Sequence, residues 1–145
     1  MSSYNFYLPI QIRYGDLDPQ WHVNNARFLT FLEQTRLSYI VNLGLFAGED
    51  FFSLGLIVAD IHIAYVAPIK LLEKIRIGMR VTRMGKKSFQ TEYLVENEET
   101  GETKARADIV MVTFDYRLNK SVPIWPEWRQ KIAAFEGIEP GPTPG

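Results

Sequence analysis

Apolar and polar positions recur along the chain with two different periods, and each change of period marks an element. Over residues 25–43 the spacing is helical. Phe28, Phe31, Leu32, Thr35, Tyr39 and Leu43 share one stripe, and Leu29, Leu37 and Ile40 widen it, which predicts a helix of about five turns. Asn24 and Asn25 are good N-cap residues at its start, and Gly44 is a natural terminator. So wide a stripe predicts a helix covered on most of its sides. Elsewhere the period is two. Residues 4–14 read as a first strand. Residues 56–66 put Ile61, Ile63 and Tyr65 on one face and Asp60, His62 and Ala64 on the other, and Pro68 ends the run. In residues 75–82, Ile75, Ile77, Met79 and Val81 alternate with outward Arg76, Arg80 and Thr82. Residues 89–95 alternate again, residues 97–102 form a polar turn, and residues 105–116 form the last long strand. Residues 47–56 are a connection of mixed character. After Pro123 and Pro126, residues 127–135 predict a short helix. Three Pro and three Gly lie in the nine residues from Gly137, and this tail is expected to be disordered.

Strand, long helix, then four strands joined by short turns is the order of a two-layer α+β domain with an antiparallel sheet. Residues 1–136 are expected to form that single domain and residues 137–145 the tail. A length of 145 residues suits one core. The net charge of −1 gives no support for a nucleic-acid or membrane-surface partner. The absence of cysteine excludes disulfides, thiolate catalysis and Cys-based metal sites. His22 and His62 are far apart and lack metal-ligand spacing, so no metal is expected. The N-terminus has no signal-peptide pattern, and no apolar run nears the roughly 20 residues that span a bilayer. A soluble, cytoplasmic domain is expected.

The chemistry concentrates in residues 13–25, RYGDLDPQWHVNN. Two carboxylates, an imidazole and two carboxamides stand just ahead of the helix, where unpaired backbone N–H groups and the positive end of a dipole converge. A carboxylate aimed there, with an oxyanion held by those N–H groups, makes an ester-cleaving site. Asp18 is the candidate acid, although an Asp before Pro also initiates turns. Asp16 reads as structural, through loop hydrogen bonds or a pair with Arg13. His22 polarises a carbonyl, positions water or holds the loop. Asn24 reads as the N-cap, and Asn25 offers its backbone N–H. Glu33 and Arg36, three apart on the helix, read as an ion pair. His62 reads as a surface or subunit-interface residue. Arg83, Lys86, Lys87 and Ser88 form a basic turn.

Tyr14-Gly15-Asp16-Leu17-Asp18 and His22-Val23-Asn24-Asn25, with Phe28, resemble the site segment of the hot-dog fold acyl thioesterases. Within them the chain looks most like the group of 4-hydroxybenzoyl-CoA thioesterase and related bacterial acyl-CoA thioester hydrolases. Parts of the segment also resemble plant acyl-carrier-protein thioesterases. Weaker similarity lies in Tyr65-Val66-Ala67-Pro68-Ile69, in Gly85-Lys86-Lys87-Ser88-Phe89 and in the last long strand, so the resemblance covers about residues 7–126. It implies a hot-dog fold, in which a curved antiparallel sheet wraps one long helix. It implies Asp18 as nucleophile or general base, and the Asn25 N–H as oxyanion donor. Coenzyme A would be part of the substrate, with no cofactor required. Edge-to-edge dimers, often paired into tetramers, would carry the site at the dimer interface. Asn24, Trp21 and Phe28 would meet the substrate, and Lys86, Lys87 and Ser88 the coenzyme A phosphates. The family commonly has glycine where this chain has Trp21, and tyrosine where it has Phe28. Trp21 would therefore narrow the acyl pocket or reshape the loop. The alternatives are a non-catalytic acyl-CoA-binding hot-dog protein and a hot-dog dehydratase. The acyl group, and coenzyme A against carrier protein, stay open at this point.

Overall fold

The alternating and helical stretches fold in the order β1 (Phe6–Ile10), a 3-10 turn (Tyr14–Asp16), α1 (Asn25–Asn42), β2 (Leu56–Tyr65), β3 (Ile75–Met84), β4 (Ser88–Asn97), β5 (Thr103–Asp115), β6 (Lys120–Ser121) and α2 (Pro126–Glu136). The computed structural model describes residues 4–49 and 54–142; the middle of the expected 47–56 connection lies outside them. The strands form one antiparallel sheet in the order β1-β3-β4-β5-β2, with β6 paired to β5. This is the α+β arrangement expected. Among the described residues no helix is long and apolar enough to cross a membrane.

Several boundaries differ from the sequence expectation for physical reasons. β1 is shorter than residues 4–14, because the chain turns into the 3-10 turn at Tyr14. Pro9 is tolerated there because β1 is an edge strand, antiparallel to β3 with Pro9 opposite Arg76. β5 starts earlier than residue 105 and so includes Lys104. The two-residue β6 is too short to show a period; it pairs with the end of β5, and Asn119 between them takes a left-handed φ of 54°. α1 buries Phe28, Phe31, Leu32, Thr35 and Tyr39. Thr30, Glu33 and Gln34 are exposed. This polar stripe at helical spacing leaves one side of α1 open.

By contacts the chain divides into two units. One comprises Met1–Tyr39, Ile63–Met79 and Tyr93–Ala107, and the other Ile40–His62, Arg80–Glu92 and Asp108–Gly145. In the second unit, Gly55 holds a φ of 53°, and a Cβ there would lie 2.6 Å from the Trp125 ring, so only glycine fits. The buried Arg129 guanidinium donates to the carbonyls of Gly85 (2.9 Å), Lys86 (3.1 Å) and Pro140 (2.6 Å). The tail, expected to be disordered from Gly137, is thereby tied down as far as Pro140; residues 143–145 lie outside the described set.

The first unit is organised around Lys104, whose side chain is 4% exposed. Its ammonium donates to the Pro68 carbonyl (3.1 Å) and pairs with Glu73 (2.9 Å) and Glu102 (2.5 Å). Its own carbonyl accepts the N–H groups of Val66 (2.8 Å) and Ala67 (3.1 Å). Glu73 also accepts from the Lys70 N–H (2.7 Å) and the Asn97 carboxamide (3.1 Å). Burial alone would lower the Lys104 pKa, but the hydrogen bonds to Glu102 and Glu73 outweigh it and hold the pKa above its usual value. Burial would raise the Glu73 pKa, but the hydrogen bonds from Lys104, Lys70 and Asn97 outweigh it and hold the carboxyl below its usual range.

These shifts fix a pH window. The depressed Glu73 stabilises the fold above its unfolded pKa of about 4.3, and the contribution is lost as pH falls through the lower folded value. The raised Lys104 contributes fully below its unfolded pKa of about 10.4 and loses the contribution as pH rises through the higher folded value. Glu73→Gln is expected to cost about 2 kcal/mol near pH 7, the scale of hydrogen bonds to charged groups. The gap in thermal midpoint between wild type and variant should begin to narrow below about pH 4, near the carboxyl reference value, and shrink further as pH falls through the lower folded value. A gap that stays constant throughout the acid range would show that Glu73 acts through packing and not through its charge.

Candidate active site

The sequence places a turn-forming Asp-Pro pair ahead of a helix start, and the first unit folds that segment into a small hairpin. Leu17 and Val23 form an antiparallel bridge. The Asp18 N–H donates to the His22 carbonyl, and the Trp21 N–H to the Asp18 carbonyl, both at 2.9 Å. Pro19, Gln20 and Trp21 are thus a three-residue loop, a type whose last residue takes a left-handed conformation. Trp21 does so, with φ 63°. Glycine adopts this geometry freely, whereas a side chain there costs on the order of 1 kcal/mol.

Two neighbours hold the hairpin in place. The Val23 N–H donates to the Ile69 carbonyl at 2.9 Å, and His22 bridges to Lys70. The Asn24 N–H donates to the Asp16 carbonyl at 2.9 Å. Asn24 then caps α1, its Oδ1 accepting the Ala26 N–H at 2.9 Å and its carbonyl the Arg27 N–H at 2.8 Å. The Asn25 N–H, at the first helical position, has no acceptor among the described residues.

The two acids of the Asp-x-Asp pair have different fates. Asp16 is 1% exposed. Its Oδ2 accepts the Arg13 N–H at 2.9 Å, and its Oδ1 lies 3.5 Å from the Arg13 guanidinium and 3.9 Å from Arg27 Nε. It is a structural acid of the loop, in contact with Arg13 as the sequence reading has it. Asp18 is half-buried and accepts the Gln20 N–H on Oδ1 at 2.9 Å, while Oδ2 has no partner among the described residues.

A pocket of about 380 Å³ gathers Asp18, His22, Asn24, Asn25 and Phe28 with Gln20, Val23 and residues 65–68. Phe28 is buried and meets the Tyr65 ring edge-on, with centroids 5.1 Å apart at 89°. The Tyr65 hydroxyl donates to the Asn25 carbonyl at 3.0 Å. The imidazole of His22 makes no hydrogen bond among the described residues. Trp21 lies outside this pocket. Lys86 and Lys87 are exposed in the turn between β3 and β4 and Ser88 is half-buried at the start of β4, all within the second unit, and none of the three lines the pocket. Glu33 is exposed on α1 and forms no ion pair with Arg36 among the described residues. Asp60 and His62 are exposed on β2.

Residues 65–68 are the part of the pocket wall that the loop segment does not announce. The Ala67-Pro68 break was their signal, and it reads only as a strand end. Lys104 had a signal too, a lysine just before an inward-alternating run.

The sequence profile of the Thioesterase-like superfamily matches residues 12–132. The chain belongs to this superfamily. It is accordingly a thioesterase, the enzyme class that the site segment leads one to expect. Long-chain acyl-CoA thioesterase FadM of Escherichia coli is 30% identical to this thioesterase over 123 residues, covering 85% of this chain and 93% of FadM. A Thermus thermophilus thioesterase, solved in complex with coenzyme A and Zn, is 29% identical with a TM-score of 0.82, covering 94% of this chain and 98% of that one. Slr0204, a 1,4-dihydroxy-2-naphthoyl-CoA thioesterase from Synechocystis, shares the fold at a TM-score of 0.80 and 20% identity, covering 88% and 95%. The fold class is the hot-dog fold. Among the described residues of this thioesterase, no group of three or more His, Asp or Glu is arranged to hold a metal ion.

Proposed function

We propose that the protein hydrolyses acyl-CoA thioesters, with Asp18 as the reacting carboxylate. One observation carries this reading: a carboxylate with a free oxygen and a helix-start N–H with no acceptor line the same pocket. The thioester oxygen accepts the Asn25 N–H at the positive end of α1, where negative charge developing in the transition state is stabilised. The free Asp18 oxygen then serves either of two routes. It attacks the thioester carbon, expels the coenzyme A thiolate and leaves a mixed anhydride that water cleaves. Alternatively it takes a proton from the water that attacks directly. Both routes end in a carboxylic acid and free coenzyme A. His22 polarises the carbonyl or orients water from the same pocket. Coenzyme A enters as part of the substrate, and no further cofactor takes part. The likeness to FadM and to the Thermus structure with bound coenzyme A supports this substrate class. A cytoplasmic location fits the same substrate.

Asp18→Asn keeps the size of the side chain and removes its charge. It is expected to lower kcat by about two to four orders of magnitude, the scale of losing a general base, with the thermal midpoint preserved. Asp16→Asn should show the reverse emphasis, with the larger loss in stability. Free-thiol release from an acyl-CoA panel and thermal melts of both variants measure this. Near-native turnover by Asp18→Asn would remove Asp18 from the chemistry.

β2 is the other edge of the sheet, and it exposes Val58, Ile61 and Tyr65, with Val66 just beyond it. An apolar, unpaired edge of this kind is a pairing surface, and we assign it to a homodimer, with homotetramers formed from such pairs. Light scattering is expected to give a multiple of the 16.7 kDa chain mass. A monomer at micromolar concentration would overturn the assignment.

The exposed Lys86 and Lys87, with Ser88, suit the phosphates of coenzyme A. Replacing both lysines with Ala is expected to raise KM for acyl-CoA several-fold, and to change KM little for a thioester lacking the nucleotide. Equal effects on both substrates would mean that these lysines serve the fold instead.

A further inference from the structure

Beside the pocket that holds the Asn25 N–H lies a second hollow of about 410 Å³, lined by Tyr14, Gly15, Leu17, Asp18, Pro19 and Trp21. Its volume falls in the range of small-ligand sites. Asp18 lines both spaces. The residue that would face a carbonyl held at the helix start therefore also borders this hollow. We propose that the hollow is the acyl subsite, and that it selects an uncharged, apolar acyl group larger than acetyl. This rests on the thioesterase reading of Asp18.

Three observations support it. The lining carries no cation, and its one charge is the Asp18 carboxylate, so phosphates and anionic acyl groups are repelled while hydrocarbon is not. Tyr14 is 73% and Trp21 62% exposed, and their rings stand 6.1 Å apart at 60°. Two large aromatic faces are thus left to water at the edge of a cavity, where a ligand would cover them. Finally, Trp21 occupies the left-handed position of the loop. Its backbone there is strained at a cost that glycine would remove, and strain of this kind is kept where the side chain serves the site.

Trp21→Gly separates the subsite from the fold, because glycine relieves the backbone while deleting the ring. The thermal midpoint is expected to stay level or rise. The ratio of kcat/KM for octanoyl-CoA to that for acetyl-CoA should fall about tenfold, which is 1.4 kcal/mol of lost apolar contact. S-octyl-CoA, a thioether that cannot be hydrolysed, should lose affinity relative to free coenzyme A by a similar factor in calorimetry. Trp21→Phe should restore most of both ratios. Unchanged ratios overturn the proposal. So does a shift in molar mass with both ratios at their wild-type values, since the rings would then cover a second copy. If the wild type cleaves no thioester yet the thioether ratio responds, the subsite stands and the hydrolase reading falls. If hydrolysis falls equally on both acyl groups, the hydrolase reading stands and the subsite falls.

Discussion

A buried ammonium must find partners or lose its charge, and in the first unit this requirement on Lys104 organises the ground on which the site is built. Its ammonium takes the Pro68 carbonyl and its carbonyl takes the Val66 and Ala67 N–H groups, so one residue fixes the wall from both ends. Glu73 balances the charge and reaches back to the Lys70 N–H. The next carbonyl along, Ile69, receives Val23, and Val23 precedes the Asn24 cap of α1. The position of the Asn25 N–H thus follows, through a short run of hydrogen bonds, from a charge buried in β5. Hydrophobic burial gives the unit its cohesion, but it has no direction. The hydrogen bonds supply the direction.

Asp16 and Asp18 show how differently the fold can surround one residue type. Asp16 ends the 3-10 turn, is shielded from water and serves the Arg13 N–H. Asp18 opens the hairpin, keeps contact with solvent and leaves one oxygen free. The free oxygen, and not the charge alone, makes the second acid chemically available.

Much of this was legible in the sequence, for identifiable reasons. The helix spacing from Phe28 to Tyr39 and the alternation from Ile75 to Val81 are repeated signals, and they located α1 and β3 closely. Asn24 as cap followed from residue type and place alone. The pocket wall at residues 65–68 was not legible, because it is brought to the loop by pairing across the chain and not by local pattern. The role of Lys104 could not be read from that local signal for the same reason: its partners Glu73 and Pro68 lie 31 and 36 residues away. The polar stripe of Thr30, Glu33 and Gln34 was present in the sequence beside the apolar one, and it marks the side of α1 that stays exposed. The left-handed backbone of Trp21 was marked by the family's glycine, although only the hairpin explains it.

Arg129 carries a different kind of consequence. Its acceptors in the turn between β3 and β4 lie 44 and 43 residues earlier in the chain. During synthesis that turn leaves the ribosome well before the residue that secures it, and until then the carbonyls of Gly85 and Lys86 are solvated. Closure of the second unit therefore waits until Arg129 has been made. It is also a contact of long sequence separation, the kind that forms slowly and against a chain-entropy cost. The helix that carries Arg129 acts as a latch, and a chain stalled before it would leave the Gly85 and Lys86 carbonyls without their guanidinium donor.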